Sequence, residues 1–257
     1  MTQEQRADFL IRYLLDERGN AADARLPGTL PEKRRLLRSL MNVRPPAPIR
    51  EDFLTVQDAY LAARLAERGV THLSDLTPVQ PGLYLWQGDI TTLAADAIVN
   101  AANSQLLGCF IPCHSCIDNA IHTYAGVQLR LACARLMAEQ GTEEPTDSAK
   151  ITPGYNLPCR RVLHTVGPIV GEVVTPSDRE LLAGCYRSCL ELAAANGLRS
   201  VAFCCISTGE FHFPNELAAR IATQTVRQWQ RQNPERIEVI FNVFKDCDRE
   251  IYRRLLC

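Results

Sequence analysis

At 257 residues the chain is long enough to bury a sizeable core, either as one large domain or as one domain with an extension. Lys and Arg total 28 against 29 Asp and Glu, and the formal net charge of −1 offers no electrostatic reason to expect nucleic acid or an anionic membrane as partner. No apolar run approaches the roughly 20 residues that a membrane span needs, and the opening Met1-Thr-Gln-Glu-Gln-Arg lacks the charged-then-apolar layout of a secretory signal. A cytoplasmic location is therefore expected. The 11 cysteines fit it as reduced thiols, because Cys133, Cys185, Cys189, Cys204 and Cys205 lie in apolar helix-like or strand-like runs.

Residues 1–79 read as a helical extension throughout. Phe9, Leu10, Tyr13 and Leu14 recur at helical spacing. Thr29-Leu-Pro-Glu32 has the form of a capping box ahead of Leu36, Leu37, Leu40 and Met41, and Pro45-Pro46-Ala47-Pro48 then breaks the chain. A third helix is predicted from Asp52 to Arg68, stopped by Gly69. Nothing here looks catalytic; a helical layer packed on the main domain is the simplest reading, with substrate docking as the other.

Residues 80–257 alternate between strands and helices. Leu83–Trp86, Ala97–Asn100, Arg161–Val166, Ser200–Ile206 and Ile237–Phe244 read as strands, while Ile117–Met137, Arg179–Ala195 and Asn215–Arg231 read as helices ahead of a terminal one. The alternation predicts an α/β domain whose mixed, mostly parallel sheet is covered on both faces. Ligands of such sheets sit beyond the carboxyl ends of the strands. Loops after Asn100, Ile206 and Phe244 are thus expected to converge on one cleft.

The most informative stretch runs from Ile98 to Arg130. Three cysteines and a histidine fall within eight residues, and thiolate and imidazole are the ligands zinc prefers. Cys109, His114 and Cys116 can be wrapped round one ion by a single loop, with Asp118 two residues further on. Structural zinc sites are usually closed by four protein ligands, whereas catalytic ones keep three and leave a position open. Cys113 could complete a closed site, and Cys113-His-Ser-Cys116 also has the spacing of a redox pair. Pro112-Cys-His-Ser-Cys116 matches half of a zinc deaminase signature, but the required upstream His-x-Glu is missing, since His72 is followed by Leu73 and Ser74. Two further loops suit an anionic nucleotide. Asp89, in Gly88-Asp89-Ile90, can accept a hydrogen bond from an exocyclic amine, and Ser207-Thr208-Gly209-Glu210-Phe211 can bring backbone N–H groups up to a diphosphate.

Taken together, Gly88-Asp89-Ile90, Val99-Asn100-Ala101-Ala102-Asn103 and Ile206-Ser207-Thr208-Gly209 resemble a macrodomain, the three-layer α/β/α module that binds ADP-ribose. The run from Gly108 to His122 resembles the zinc-dependent microbial branch, whose members remove ADP-ribose from modified proteins and usually carry a helical extension. The resemblance implies that Asp89 and Ile90 hold the adenine, with Phe244 as a stacking partner. It implies a diphosphate cradled by the backbone of Ser207, Thr208, Gly209 and Glu210, with Phe211 against the distal ribose. Asn103 would bond that ribose, with Asn100 also in the binding set, and Asp118 would stand beside the scissile bond. Cys109, His114 and Cys116 would hold Zn2+. Cys205 departs from the glycine that more often precedes the Ile-Ser-Thr-Gly run.

The implied activity is hydrolysis of a mono-ADP-ribosyl ester on a protein carboxylate. A lipoyl-carrier protein related to the glycine-cleavage H protein is the partner the resemblance suggests. The rival is a reader that binds ADP-ribose around a structural zinc without cleaving anything. Of the other polar residues, His122 could support Asp118 or simply bond backbone, His164 reads as a core residue, and His212 could line the cleft. Tyr155 reads as a turn residue, and Arg187 and Arg227 read as solvated.

Overall fold

The computed structural model describes residues 1–19, 25–233 and 237–256. Three helices come first, α1 (Gln3–Asp16), α2 (Leu30–Val43) and α3 (Glu51–Arg68). Capping boxes at Thr2/Gln5 and Thr29/Glu32 satisfy the first amides of α1 and α2. Their apolar stripes meet in a small core of their own, built from Leu10, Ile11, Leu14, Leu37, Phe53 and Tyr60 among others, and Val127 from the main domain joins it.

The residues between α3 and the main sheet, expected to be helical, are extended apart from one 3-10 turn at Leu73–Asp75. They hold the short strand β1 (Thr71–His72) and then β2 (Pro78–Gln80), followed by β3 (Leu83–Gln87), β4 (Leu93–Ala94) and β5 (Ala97–Ala102). β1 pairs with β4, and β2 forms the antiparallel edge beside β3. These runs are too short for periodicity to reveal; pairing with a neighbour makes them strands.

A second difference concerns Ile117–Met137, which is two helices rather than one. α4 (Ile117–Ala125) and α5 (Val127–Gln140) meet at Gly126, whose φ of 94° no helix accommodates. A Cβ at this position would lie 2.6 Å from Gln128 and 2.7 Å from Gln57 of α3, so the break is also where the extension docks.

β6 (Ala149–Pro153), β7 (Arg161–Val166), α6 (Pro176–Ala195), β8 (Ser200–Phe203), α7 (Asn215–Gln232), β9 (Glu238–Val243) and α8 (Asp246–Leu256) complete the chain. The main sheet runs β2-β3-β9-β8-β5-β7-β6, with parallel central strands and antiparallel edges at β2 and β6. Helices cover both faces, which is why β7 and β8 bury nearly every residue and read as continuous apolar runs. β8 is shorter than expected, because the chain leaves the sheet at Cys204 to enter the loop before α7. No disulfide forms among the described cysteines. Burial pushes the Cys133 and Cys204 thiols up to about 12, which keeps them protonated. No helix of the described residues is long and apolar enough to cross a membrane.

Arg130 of α5 joins the two cores. It is 5% exposed, donates from Nη1 to the carbonyls of Met41, Asn42 and Arg44 at the end of α2, and donates from Nε to Leu107 at 2.6 Å. Burial lowers its pKa to about 10, so it stays charged at neutral pH. Arg130→Met leaves those carbonyls without a donor. Urea unfolding should show a loss of roughly 3–5 kcal/mol, the range for breaking a buried charged network; a loss under 1 kcal/mol would show that the network is dispensable.

Candidate active site

β5 delivers its last residues to the carboxyl edge of the sheet, and the chain then enters a loop bent by Leu106 and Cys113 at positive φ. Gly108 has φ +80°, and a Cβ there would lie 2.8 Å from the His122 ring, so the approach of loop to helix requires glycine. The loop brings the donor atoms of Cys109, His114 and Cys116 within 4.8 Å of one another. Cys109 Sγ lies 3.7 Å from His114 Nδ1; two such ligands on one tetrahedral zinc are about 3.6 Å apart. The Cys113 thiol points away and donates to the carbonyl of Arg35 at 3.4 Å, so it does not close a four-ligand set. Burial above all, with the nearby Cys109 and Asp118, pushes the Cys116 thiol up to about 12, while the hydrogen bond from the Asn119 amide acts the other way. Two thiols and an imidazole so placed suit a cation that takes them as thiolates.

Four polar side chains hold this loop. Asn119 is fully buried on α4 and donates to the carbonyls of Ile111 at 3.0 Å and Cys109 at 3.5 Å. Its own oxygen accepts from Arg38 of α2 at 2.8 Å, and Arg38 also donates to the carbonyl of His114 at 2.9 Å. Asn42 of α2 accepts from the Cys113 amide at 2.9 Å, and Arg130 holds Leu107. None of Arg38, Asn42, Asn119 and Arg130 was expected from the sequence. Their partners lie mostly far along the chain, and no local pattern marks them.

Beneath the loop, Asp118 is 5% exposed and accepts from Asn100 Nδ2 at 2.8 Å. Burial raises its pKa to about 6, with the Asn100 bond and the Arg130 charge acting the other way. It is therefore ionised at neutral pH. The register sets Asn100 opposite His164, and Asn100 Nδ2 approaches His164 Nδ1 at 3.2 Å. An amide NH2 only donates, so His164 carries its proton on Nε2 and gives it to Thr152 Oγ1 at 2.9 Å. Asn100 was expected among the ligand-contacting residues, yet its side chain is wholly enclosed and serves as the support of Asp118. His122 is buried, with Nε2 3.5 Å from Asp118, and burial keeps it neutral. His122, Cys133 and His164 also form a close buried group. Both His164 nitrogens are engaged by Asn100 and Thr152, whereas neither ring nitrogen of His122 has a hydrogen-bond partner.

The loop after β8 faces the loop of Cys109–Cys116, with Glu210 Oε1 3.6 Å from His114 Nε2. Ser207 at φ 63° and His212 at φ 56° force it into a tight turn. Thr208 N donates to Cys205, His212 N to Gly209 and Phe213 N to Ser207, while the amides of Gly209, Glu210 and Phe211 make no protein hydrogen bond among the described residues. Cys205 does not prevent this turn; its thiol lies against the carbonyl of Asn242 at 3.8 Å. Phe211 is half-buried and His212 is exposed.

Asp89 follows β3 and caps the turn Ile90–Thr92 by accepting from Thr91. Its other oxygen accepts from Arg68 of α3 at 2.9 Å. Ile90 is 1% exposed, so its side chain is a packing residue and only its backbone is left for a ligand. Phe244, just past β9, is 75% exposed. Asn103 donates to the carbonyl of Gly108 at 3.3 Å and accepts from Gln105 N, shaping the entry to the loop of Cys109–Cys116. Among the remaining polar residues, Arg187 pairs with Glu180, Arg227 donates to the carbonyl of Leu255, and Tyr155 sits in a turn at φ 52°.

Residues 99–222 match the family model described as Macro domain. The chain is 54% identical over 260 residues to a "Protein-ADP-ribose hydrolase" of Treponema medium, with all of both chains covered. It is 46% identical to a protein of the same description from Staphylococcus aureus (strain MSSA476), covering 98% of this chain and 95% of the relative. A solved structure, the Trypanosoma brucei macrodomain in complex with ADP-ribose, superposes with a TM-score of 0.67 at 31% identity, covering 85% of this chain and 95% of that one.

The histidine beneath the site predicts a pH dependence of stability. Burial lowers the His164 pKa to about 4, against about 6.5 when unfolded. As pH falls through this window the unfolded chain takes up a proton that the folded one refuses, so stability drops. Between pH 7 and pH 4.5 the loss from this group should be about 2.5 kcal/mol. Asp118 acts oppositely, because its folded pKa is raised, so the effect is read by difference. In urea unfolding at both pH values, wild type should lose more stability than His164→Gln; equal losses would refute the assignment.

Proposed function

Since the chain belongs to the macrodomain family, we propose that it is a zinc-dependent hydrolase that releases ADP-ribose from mono-ADP-ribosylated protein. The observation that carries the reading is the meeting, at one edge of the sheet, of three metal-type donors, an ionised carboxylate at Asp118 and the loop of Ser207–Phe211. The names of the relatives support the hydrolase class.

In this reading Asp89 and Phe244 flank the adenine, which also meets the backbone of Ile90. The free amides of Gly209, Glu210 and Phe211 face the diphosphate. Phe211 and Asn103 meet the distal ribose. Cys109, His114 and Cys116 would hold Zn2+, which when bound would supply a Lewis acid for an oxygen at the sugar–protein linkage. Glu210 beside His114 Nε2 orients the imidazole for that role.

Hydrolysis adds water across the ester between the distal ribose and a protein carboxylate. Asp118, ionised at neutral pH with its pKa raised to about 6, orients that water, takes its proton as the new bond forms and hands it to the departing oxygen as the ester bond breaks, which returns the carboxylate to its ionised form. Asn100 fixes the carboxylate, and His164, tied to Thr152, fixes the amide of Asn100. The modified protein we assign, from the resemblance alone, is a lipoyl carrier related to the glycine-cleavage H protein. The setting is the cytoplasm, where thiols stay reduced.

Asp118→Ala should lower release of ADP-ribose from a carboxylate-modified protein by roughly 10²-fold or more, while calorimetry finds free ADP-ribose still bound. Cys116→Ala, or dialysis against a chelator, should likewise abolish release, and metal analysis should find zinc in the untreated protein. Binding without release by the untreated, metal-loaded protein would establish the non-catalytic reader instead. Unchanged turnover of Cys116→Ala would remove the metal from the mechanism.

A further inference from the structure

A recess of about 400 Å³ opens between α2, α3 and α4, and Cys113 of the metal-binding loop forms part of its wall. Arg34, Arg35, Arg38 and Arg64 line it, with Tyr124 at one side. One carboxylate, Glu67, pairs with both Arg34 and Arg64. Arg38 spends its donors on neutral oxygens, those of Asn119 and His114. Arg34 Nε is buried with no partner. Among the described residues the Arg35 side chain makes no hydrogen bond or ion pair, and it is exposed. Four guanidinium groups against one carboxylate leave a local charge of +3, on a chain whose total is −1. Like charges so gathered repel, and an anionic ligand relieves the repulsion. Guanidinium forks match carboxylates in geometry as well as sign.

The location narrows the ligand. Arg38 grips the carbonyl of His114, and Cys113 belongs to both the loop and the recess, so the basic wall adjoins the proposed reaction centre. A protein whose modified side chain lies at that loop carries its neighbouring residues past α2. We propose that the recess docks an acidic segment of the protein substrate, the residues flanking the ADP-ribosylated side chain, with Arg35 as its unpaired contact. The proposal rests on the hydrolase reading and adds to it a specificity for sequence context supplied by the N-terminal helices.

The test uses the full chain with zinc bound and two peptides ADP-ribosylated on one glutamate, one flanked by Asp and Glu and the other by Ser and Gln. Wild type should show a lower KM for the acidic peptide, with the advantage vanishing at about 0.5 M salt. Arg35→Glu should raise the KM for the acidic peptide about fivefold or more, leaving kcat, the neutral peptide and the unfolding midpoint unchanged, and Arg35→Lys should restore most of the preference. Equal KM values for both peptides in wild type, or indifference to Arg35→Glu, would overturn docking while leaving the hydrolase intact. Failure of wild type to turn over either peptide would instead overturn the hydrolase reading, and docking with it.

Discussion

The site depends on the clamp that Asn119 and Arg38 form across the loop of Cys109–Cys116. A loop with three positive-φ residues, an exposed Ile111 and no strand to pair with has little reason to hold one shape. Asn119 supplies that reason from inside α4 by holding the carbonyls of Cys109 and Ile111, and Arg38 holds Asn119 and the carbonyl of His114 together. Asn119 is fully buried, and an unmade bond there carries a full desolvation penalty. That penalty makes the clamp specific, and it places three sulfur and nitrogen donors close together.

The clamp also explains why the N-terminal helices belong to the site. α2 is pinned by Arg130 at its end, by Asn42 to the amide of Cys113, and by Arg38 to the loop itself. α3 reaches the other end of the cleft, where Arg68 pairs with Asp89 and stacks on Tyr124 at 3.6 Å. The helical layer therefore touches both the expected adenine end, at Asp89, and the loop that carries Cys109, His114 and Cys116. The basic recess between α2 and α3 follows from the same placement.

Beneath the loop the chemistry is arranged across three strands. The Asn100 amide fixes the tautomer of His164 by giving one hydrogen to its Nδ1, His164 gives its own proton to Thr152, and the other amide hydrogen goes to Asp118. The parallel register of β5 and β7 makes this possible by setting Asn100 opposite His164. A carboxylate held by one donor in an otherwise dry place keeps a raised pKa and a fixed direction, both of which suit a group that orients water.

Sequence alone determined the alternation of strands and helices, the cleft at the strand ends, and the three donors Cys109, His114 and Cys116. These are local facts, carried by apolar periodicity, turn residues and ligand types a few positions apart. Sequence did not reveal that Gly126 divides a helix or that β2 and β6 border the sheet, because a short edge strand exists only by virtue of its neighbour. Nor did it separate Asn100, enclosed beneath Asp118, from Asn103 three residues on, since both stand in one motif. Tertiary structure alone decided that Cys113 turns to Arg35 and away from the other thiols, and that Arg38, Asn42 and Arg130 serve the loop. The physical reason is that each of those bonds joins residues brought together only by the docking of α2 on α4 and α5, and no spacing along the chain encodes that contact.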